Sequence, residues 1–141
     1  MKKHVGTVLF YLLWPLVWFY APLTIRVRVL LRYGDEIIVV KNWFGPHSWQ
    51  LPGGGKKFHE SVIEAGIREI KEELSITVAQ NQCSQLTRVP IVKSRSGLLM
   101  RYHFVEIKLL HKPDIIRSRE ISAHEWQAKE KVAHLVPVAY I

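Results

Sequence analysis

The chain has 141 residues, 48% hydrophobic and 23% charged, which excludes a disordered polypeptide and leaves room for one domain with a real core but not for two ordinary ones. A formal net charge of +8 predicts a surface attractive to phosphate compounds, nucleic acid or acidic lipid. The single cysteine, Cys83, excludes an internal disulfide and a cysteine-rich zinc site, and fits a reducing compartment.

Two units follow in chain order: an apolar segment, residues 1–23, and a domain over residues 24–141. Val5 to Ile25 carries no charged side chain and nears the ~20 residues that span a bilayer. Pro15 and Pro22 interrupt it, and Lys2 and Lys3 before it are matched by Arg26, Arg28 and Arg32 after it, so charge fixes no orientation. No small-x-small cleavage site near Ala21 marks a signal peptide. The segment is expected to contact a membrane through residues 5–23 or to form a helix packed on the domain. A cytoplasmic protein with peripheral membrane attachment is the localisation this implies, since a span with Lys2 and Lys3 inside would put the domain outside.

From Thr24 the pattern alternates: Ile25, Val27, Val29 and Leu31 share one face of a strand and Arg26, Arg28 and Arg32 the other. A turn at Tyr33–Glu36 leads to an apolar strand, Ile37–Val40, completing a hairpin. A loop containing Gly45–Pro46, the short run Trp49–Leu51, and "PGGG", Pro52 to Gly55, follow; the last cannot be regular structure. Ser61 with Glu64 forms a capping box that starts a helix. Ile63, Ile67, Ile70 and Leu74 fall within an arc of about 60° and should face the core. Glu69, Glu72 and Glu73 lie within about 100° of one another on another side and should point outward together. Like charges at that spacing repel, so a compensating partner is expected.

Downstream, Leu86–Lys93 and Leu98–Leu110 read as strands around the turn Ser94–Gly97. His111–Ser118 reads as a loop, Arg119–Gln127 as a strand and Ala128–Leu135 as a short helix. Strands on both sides of one strong helix predict a mixed α/β or α+β sheet domain.

Read together, Gly54 to Ile76, "GGKKFHESVIEAGIREIKEELSI", resembles the Nudix box, G-x5-E-x7-R-E-U-x-E-E-x-G-U, with U a bulky aliphatic residue. Gly54, Glu60, Arg68, Glu69, Ile70, Glu72, Glu73 and Ile76 match in register, and Ser75 stands where the family has glycine. "WQLPGGG" and "REISAHEW" resemble the family's flanking strands, so the likeness covers about Thr24 to Leu135. It implies an α/β fold, the Nudix α/β/α sandwich with a mixed sheet. It also implies a hydrolase that cleaves a diphosphate bond in a nucleoside diphosphate linked to another group, using Mg²⁺ or Mn²⁺. The alternatives are a nucleotide-sensing binding module and an RNA 5′-end processor. RNA is a less favoured partner than a small nucleotide or other diphosphate.

By that resemblance Glu69, Glu72 and Glu73 are the expected metal ligands, with the Gly54 carbonyl as a further one. Arg68 should orient the carboxylates by pairing with Glu60, and Gly53, Gly54 and Gly55 should bring main-chain groups near the diphosphate. Hard divalent cations prefer such oxygen donors, and glycine permits close backbone approach. Glu120 is the candidate general base outside the box and Glu125 a weaker one; an ordinary solvated strand position is the competing reading for Glu120. Trp43, Phe44 and Trp49 could stack on a nucleobase, against loop or core packing. Trp126 reads as core and Cys83 as a buried small side chain, and the histidines lack metal-ligand spacing.

Overall fold

The alternation beginning at Ile25 becomes strand β1, Ile25–Tyr33, with Val27, Val29 and Leu31 fully buried on one face. The structure is a computed structural model that describes residues 2–16, 25–45, 47–86, 91–93 and 99–135. Gly34, at φ +57°, turns the chain into β2, Glu36–Asn42, antiparallel to β1 with Arg32 opposite Ile37. The run Ile37–Val40 is apolar throughout because both faces of the sheet are covered: Ile38 and Val40 join one core cluster, Ile37 and Val39 the other.

Three short or long strands complete that side of the sheet: β3, Cys83–Gln85, β4, Ile91–Lys93, and β5, Leu99–Lys108. β5 runs parallel to β1, and β3 and β4 both pair antiparallel with β5. On the other side β6, Ile121–Ala128, pairs antiparallel with β2. The order β3-β5-β1-β2-β6, with β4 also on β5, makes a mixed sheet. β3 has no expectation in the sequence, because three residues, two of them exposed, are too few for a periodic pattern; its ladder with β5 creates it. The turn 94–97 and residues 87–90 lie outside the described residues.

The central helix runs Val62–Leu74 and follows α1, Lys2–Leu12, as α2. The Glu64 N–H donates to Ser61 Oγ at 3.1 Å and the Ser61 N–H to Glu64 Oε2 at 2.6 Å, the reciprocal cap expected there. Ser75 ends the helix in the left-handed region, φ 58°, ψ 27°, its N–H donating to the Lys71 carbonyl. It is the one described non-glycine residue with positive φ. Ile70 and Leu74 are fully buried, and Ile67 packs against the same cluster. Ile63 is only half-buried and stays outside it. Ala65 and Gly66 occupy the crossing instead: a Cβ on Gly66 would stand 3.3 Å from the Val105 side chain, so the helix lies too near the sheet there for a large residue.

The opposite face is covered by α3, Lys129–Val132, and a turn of 3₁₀ helix at Ala133–Leu135. Val132 packs with Leu30, Ile37, Val39, Leu51 and Phe104. A mixed sheet between helical layers is the α/β/α sandwich expected.

The N-terminal segment corrects one expectation. Among the described residues no helix is long and apolar enough to cross a membrane; eleven residues of α1 rise only about 16 Å against a hydrocarbon core of about 30 Å. Instead α1 packs on the domain. Phe10 is buried, with its ring edge-on to Phe44 at 5.4 Å between centroids, and Thr7 Oγ1 donates to the Gly45 carbonyl at 3.2 Å. Membrane contact through residues 5–23, and the membrane-associated localisation drawn from it, therefore do not stand. Hydropathy counts apolar residues but cannot see that the domain itself takes up one face of them. Residues 17–23 lie outside the described part of the chain.

Candidate active site

The triple-glycine loop is laid along β1 almost as an extra strand. The Val29 N–H donates to the Pro52 carbonyl, the Val27 N–H to the Gly54 carbonyl and the Lys56 N–H to the Ile25 carbonyl, each at 2.9 Å. Gly53 sits at φ +132°, and a Cβ there would lie 2.2 Å from the Val27 carbonyl oxygen, so only glycine fits. A Cβ on Gly54 would fall 2.6–2.8 Å from the Glu69 carboxylate. Gly55 is open on its Cβ side, and its carbonyl accepts from Arg68 Nη2 at 2.9 Å.

That loop changes the environment of the acidic ridge. Helical projection sends Glu69, Glu72 and Glu73 outward together, but the fold separates them: Glu69 and Glu73 are buried, while the Glu72 side chain is 56% exposed. Projection gives a direction from the helix axis, not what lies above it. Glu73 Oε2 accepts from the Gly53 N–H at 3.0 Å. Even so, burial pushes its carboxyl up to about 7, the Glu69 and Glu120 charges add to that, and Gly53 and Arg28 only partly oppose it. Glu69 is likewise raised by burial, in spite of Arg68.

Arg68 ties the ridge together. Its Nη2 and Nε donate to the two oxygens of Glu60 at 2.7 and 3.0 Å, and its Nη1 to Glu69 Oε1 at 2.7 Å and Glu72 Oε2 at 3.0 Å. The planar guanidinium suits this fork-to-fork pairing. Arg68 and the Lys57 N–H hold the Glu60 carboxyl down at about 2. Arg68 thus serves structure first, as the strut between loop and helix.

Sequence reading missed Arg28. Alternation assigns it to the polar face of β1, and there it reaches the Leu51 and Gly53 carbonyls at 3.0 and 3.1 Å and Gln50 Oε1 at 3.3 Å. It braces the loop from the sheet side and brings a cation toward Glu73. Only knowledge of where the loop folds back could have signalled this. Glu120 lies in the turn before β6, exposed, with its charge acting on both Glu69 and Glu73. Glu125 is exposed on β6, opposite Val39, with no interaction with the ridge glutamates among the described residues. Trp49 packs against the second core under Lys41, whose Nζ is 4.3 Å from the ring centre. Trp126 packs against the first core, and Cys83 is half-buried there.

Among the described residues no three His, Cys, Asp or Glu side chains are assembled to hold a metal ion; Arg68 draws Glu69 and Glu72 to itself. The donor set nonetheless fits a small hard cation, which is commonly held by one or two carboxylates with the remaining positions filled by substrate phosphate and water. Glu69 and Glu73 are such a pair, both buried, with Arg68 on one oxygen of Glu69 and no salt bridge to Glu73 among the described residues.

A family model described as the NUDIX domain matches residues 22–139. The chain belongs to the Nudix family. The m7GpppN-mRNA hydrolase NUDT17 of Xenopus laevis is 31% identical over 104 residues, which cover 64% of this chain and 35% of that protein. Among solved structures, a MutT/nudix family protein from Enterococcus faecalis superposes with a TM-score of 0.65 at 20% identity, over 82% of this chain and 50% of that one. The E. coli dihydroneopterin triphosphate pyrophosphohydrolase gives a TM-score of 0.62 at 20% identity, over 79% of this chain and 84% of that one. The chain thus spans about a third of the curated relative's length, and the solved structures share its fold. Within the Nudix domain, the box from Gly54 to Ile76 is the loop-and-helix unit described above. α1 lies ahead of the matched range.

Proposed function

We propose that this Nudix domain hydrolyses a diphosphate bond in a nucleoside diphosphate linked to a second group, with Mg²⁺ or Mn²⁺ as cofactor. The observation that carries the reading is the pair Glu69 and Glu73, buried against a glycine loop whose Gly54 lies too close to the Glu69 carboxylate for any side chain. Burying two carboxylates on one helix with a single salt bridge, Arg68 to Glu69, between them is costly, and a site for a divalent ion explains why the arrangement persists. The ion, when bound, supplies neutralisation of phosphate charge and makes water a better nucleophile at neutral pH.

The chain's own residues have separate tasks in this reading. Glu69 and Glu73 hold the cation; the Gly53 N–H orients Glu73 and Arg68 orients Glu69. Glu72 is a third, more exposed ligand that would have to turn from Arg68. The Gly54 carbonyl keeps a lone pair beyond the bond from Val27. Glu120, within electrostatic reach of both buried glutamates, is suited to accept the proton of the attacking water. The Gly53–Gly55 backbone would bring its main-chain groups to the diphosphate.

The test is a screen of nucleoside diphosphate derivatives with Mg²⁺ and with chelator, using the natural chain and Glu73→Gln. Metal-dependent release of a nucleoside monophosphate, lost in the variant, supports the reading; equal turnover by the variant removes Glu73 from its role. A second reading, action on an RNA 5′ end, draws on the 31% identity to a protein named as an mRNA hydrolase and on the net charge of +8. Preference for capped RNA over the free cap dinucleotide, weakening steeply with salt, would favour it.

A further inference from the structure

Beside the buried glutamates lies a groove of about 510 Å³, lined by Asn42, Trp43, Phe44, Arg119 and Glu120, within the size range of small-molecule sites. Two of its lining residues are aromatic, Trp43 and Phe44, left 37% and 39% exposed. Arg119 makes no hydrogen bond or ion pair among the described residues and is exposed. Asn42 completes the lining, with its Oδ1 turned away from solvent. Glu120, one of its lining residues, is near enough for its charge to act on Glu69 and Glu73. Aromatic side chains and a guanidinium form a surface for a planar heteroaromatic ring, while the phosphates attached to such a ring would lead toward Glu69 and Glu73.

The aromatic wall is held by α1. The Thr7 hydroxyl donates to the Gly45 carbonyl, the Phe10 ring packs on Phe44, and the α1 backbone approaches so closely at Gly6 that an added Cβ would stand 2.4 Å from the Trp43 carbonyl oxygen. The Trp43 N–H in turn donates to the Glu120 carbonyl at 2.7 Å. One line of contacts thus runs from α1 through Trp43–Gly45 to Glu120.

We propose that α1, which lies outside the Nudix domain match, completes the substrate site by fixing Trp43 and Phe44 as the wall of a groove that seats the nucleobase of a nucleoside diphosphate substrate. The proposal rests on the hydrolase reading for its substrate class but not for its test. Trp43 and Phe44 touch the ligand; Gly6, Thr7 and Phe10 are positioning residues.

The test measures equilibrium binding of AMP and of ribose 5-phosphate to the full chain by titration calorimetry, with Mg²⁺ present, so that no turnover is needed. AMP should bind about tenfold or more tightly than ribose 5-phosphate, and Trp43→Ala should erase most of that advantage. Gly6→Ala and Phe10→Ala should weaken AMP severalfold while leaving ribose 5-phosphate unchanged, and Phe10→Leu, which keeps an apolar contact, should recover part of the loss. A general folding defect would weaken both ligands alike, and circular dichroism melts check for it. Equal binding of the two ligands, or an AMP affinity indifferent to Trp43→Ala, overturns the groove. An AMP affinity indifferent to both α1 variants overturns the brace. AMP binding through Trp43 by a chain that cleaves no diphosphate sustains the groove and contradicts only the hydrolase reading.

Discussion

Glu73→Gln should stabilise the domain while disabling its proposed chemistry. Burial lifts the Glu73 carboxyl from its ordinary 4.5 to about 7, so the native state binds that proton more tightly than the unfolded chain does. A folded value above the unfolded one means stability that is present below about pH 4.5, lost through the window up to about pH 7, and absent above it. At about 1.4 kcal/mol per pH unit, the window amounts to about 3 kcal/mol. Glutamine has the same shape, carries no charge and can still accept from the Gly53 N–H, so it escapes this cost. The expected outcome, without metal, is a variant more stable than the natural chain by up to about 3 kcal/mol at pH 8. In urea this corresponds to a midpoint higher by about 1–2 M, and the two proteins should converge near pH 4.5. A variant no more stable than the natural chain at pH 8 would refute the reasoning that Glu73 is a buried charge held against its own solvation.

Arg68→Gln should destabilise by about 2–4 kcal/mol, because it strands Glu60 and Glu69, both largely buried, without their cation. The Glu60 contribution is complete above about pH 4.5 and lost as pH falls toward about 2, so acid melts of the variant should be flatter across that window. Gly54→Ala should cut diphosphate turnover about 100-fold, since its methyl group would displace the Glu69 carboxylate; kinetics at near-natural activity would contradict the fit. Ser75→Gly should raise stability by about 1 kcal/mol by relieving a side chain held at positive φ, a rise of about 2–4 °C in Tm that a thermal melt would detect.

How much of this was legible in the sequence depended on whether the cause was local. The helix from Val62 to Leu74 was readable because its cap, Ser61 with Glu64, is a contact three residues long. The first hairpin was readable because alternation and a glycine turn define it. The box residues were readable because they match the Nudix box in register. What escaped was set by distant parts of the chain. β3 exists only through β5, the cover over Glu69 and Glu73 comes from the loop at Gly53–Gly54, and the use of Arg28 depends on that loop lying along β1. The membrane reading of the apolar N-terminus failed for the same reason, since its partners, Trp43 to Gly45, stand more than thirty residues away. Ile63 lost its place in the core to Ala65 and Gly66 because only the distance between helix and sheet decides which side chains fit.

The proposed metal site is most directly tested by titrating Mn²⁺ into the chain, followed by electron paramagnetic resonance, with a non-hydrolysable nucleoside diphosphate analogue present. Stoichiometric capture of the ion by the natural chain, abolished in a variant carrying both Glu69→Gln and Glu73→Gln that still folds, is the predicted result. Equal Mn²⁺ binding by the two proteins would contradict the assignment of the buried glutamates.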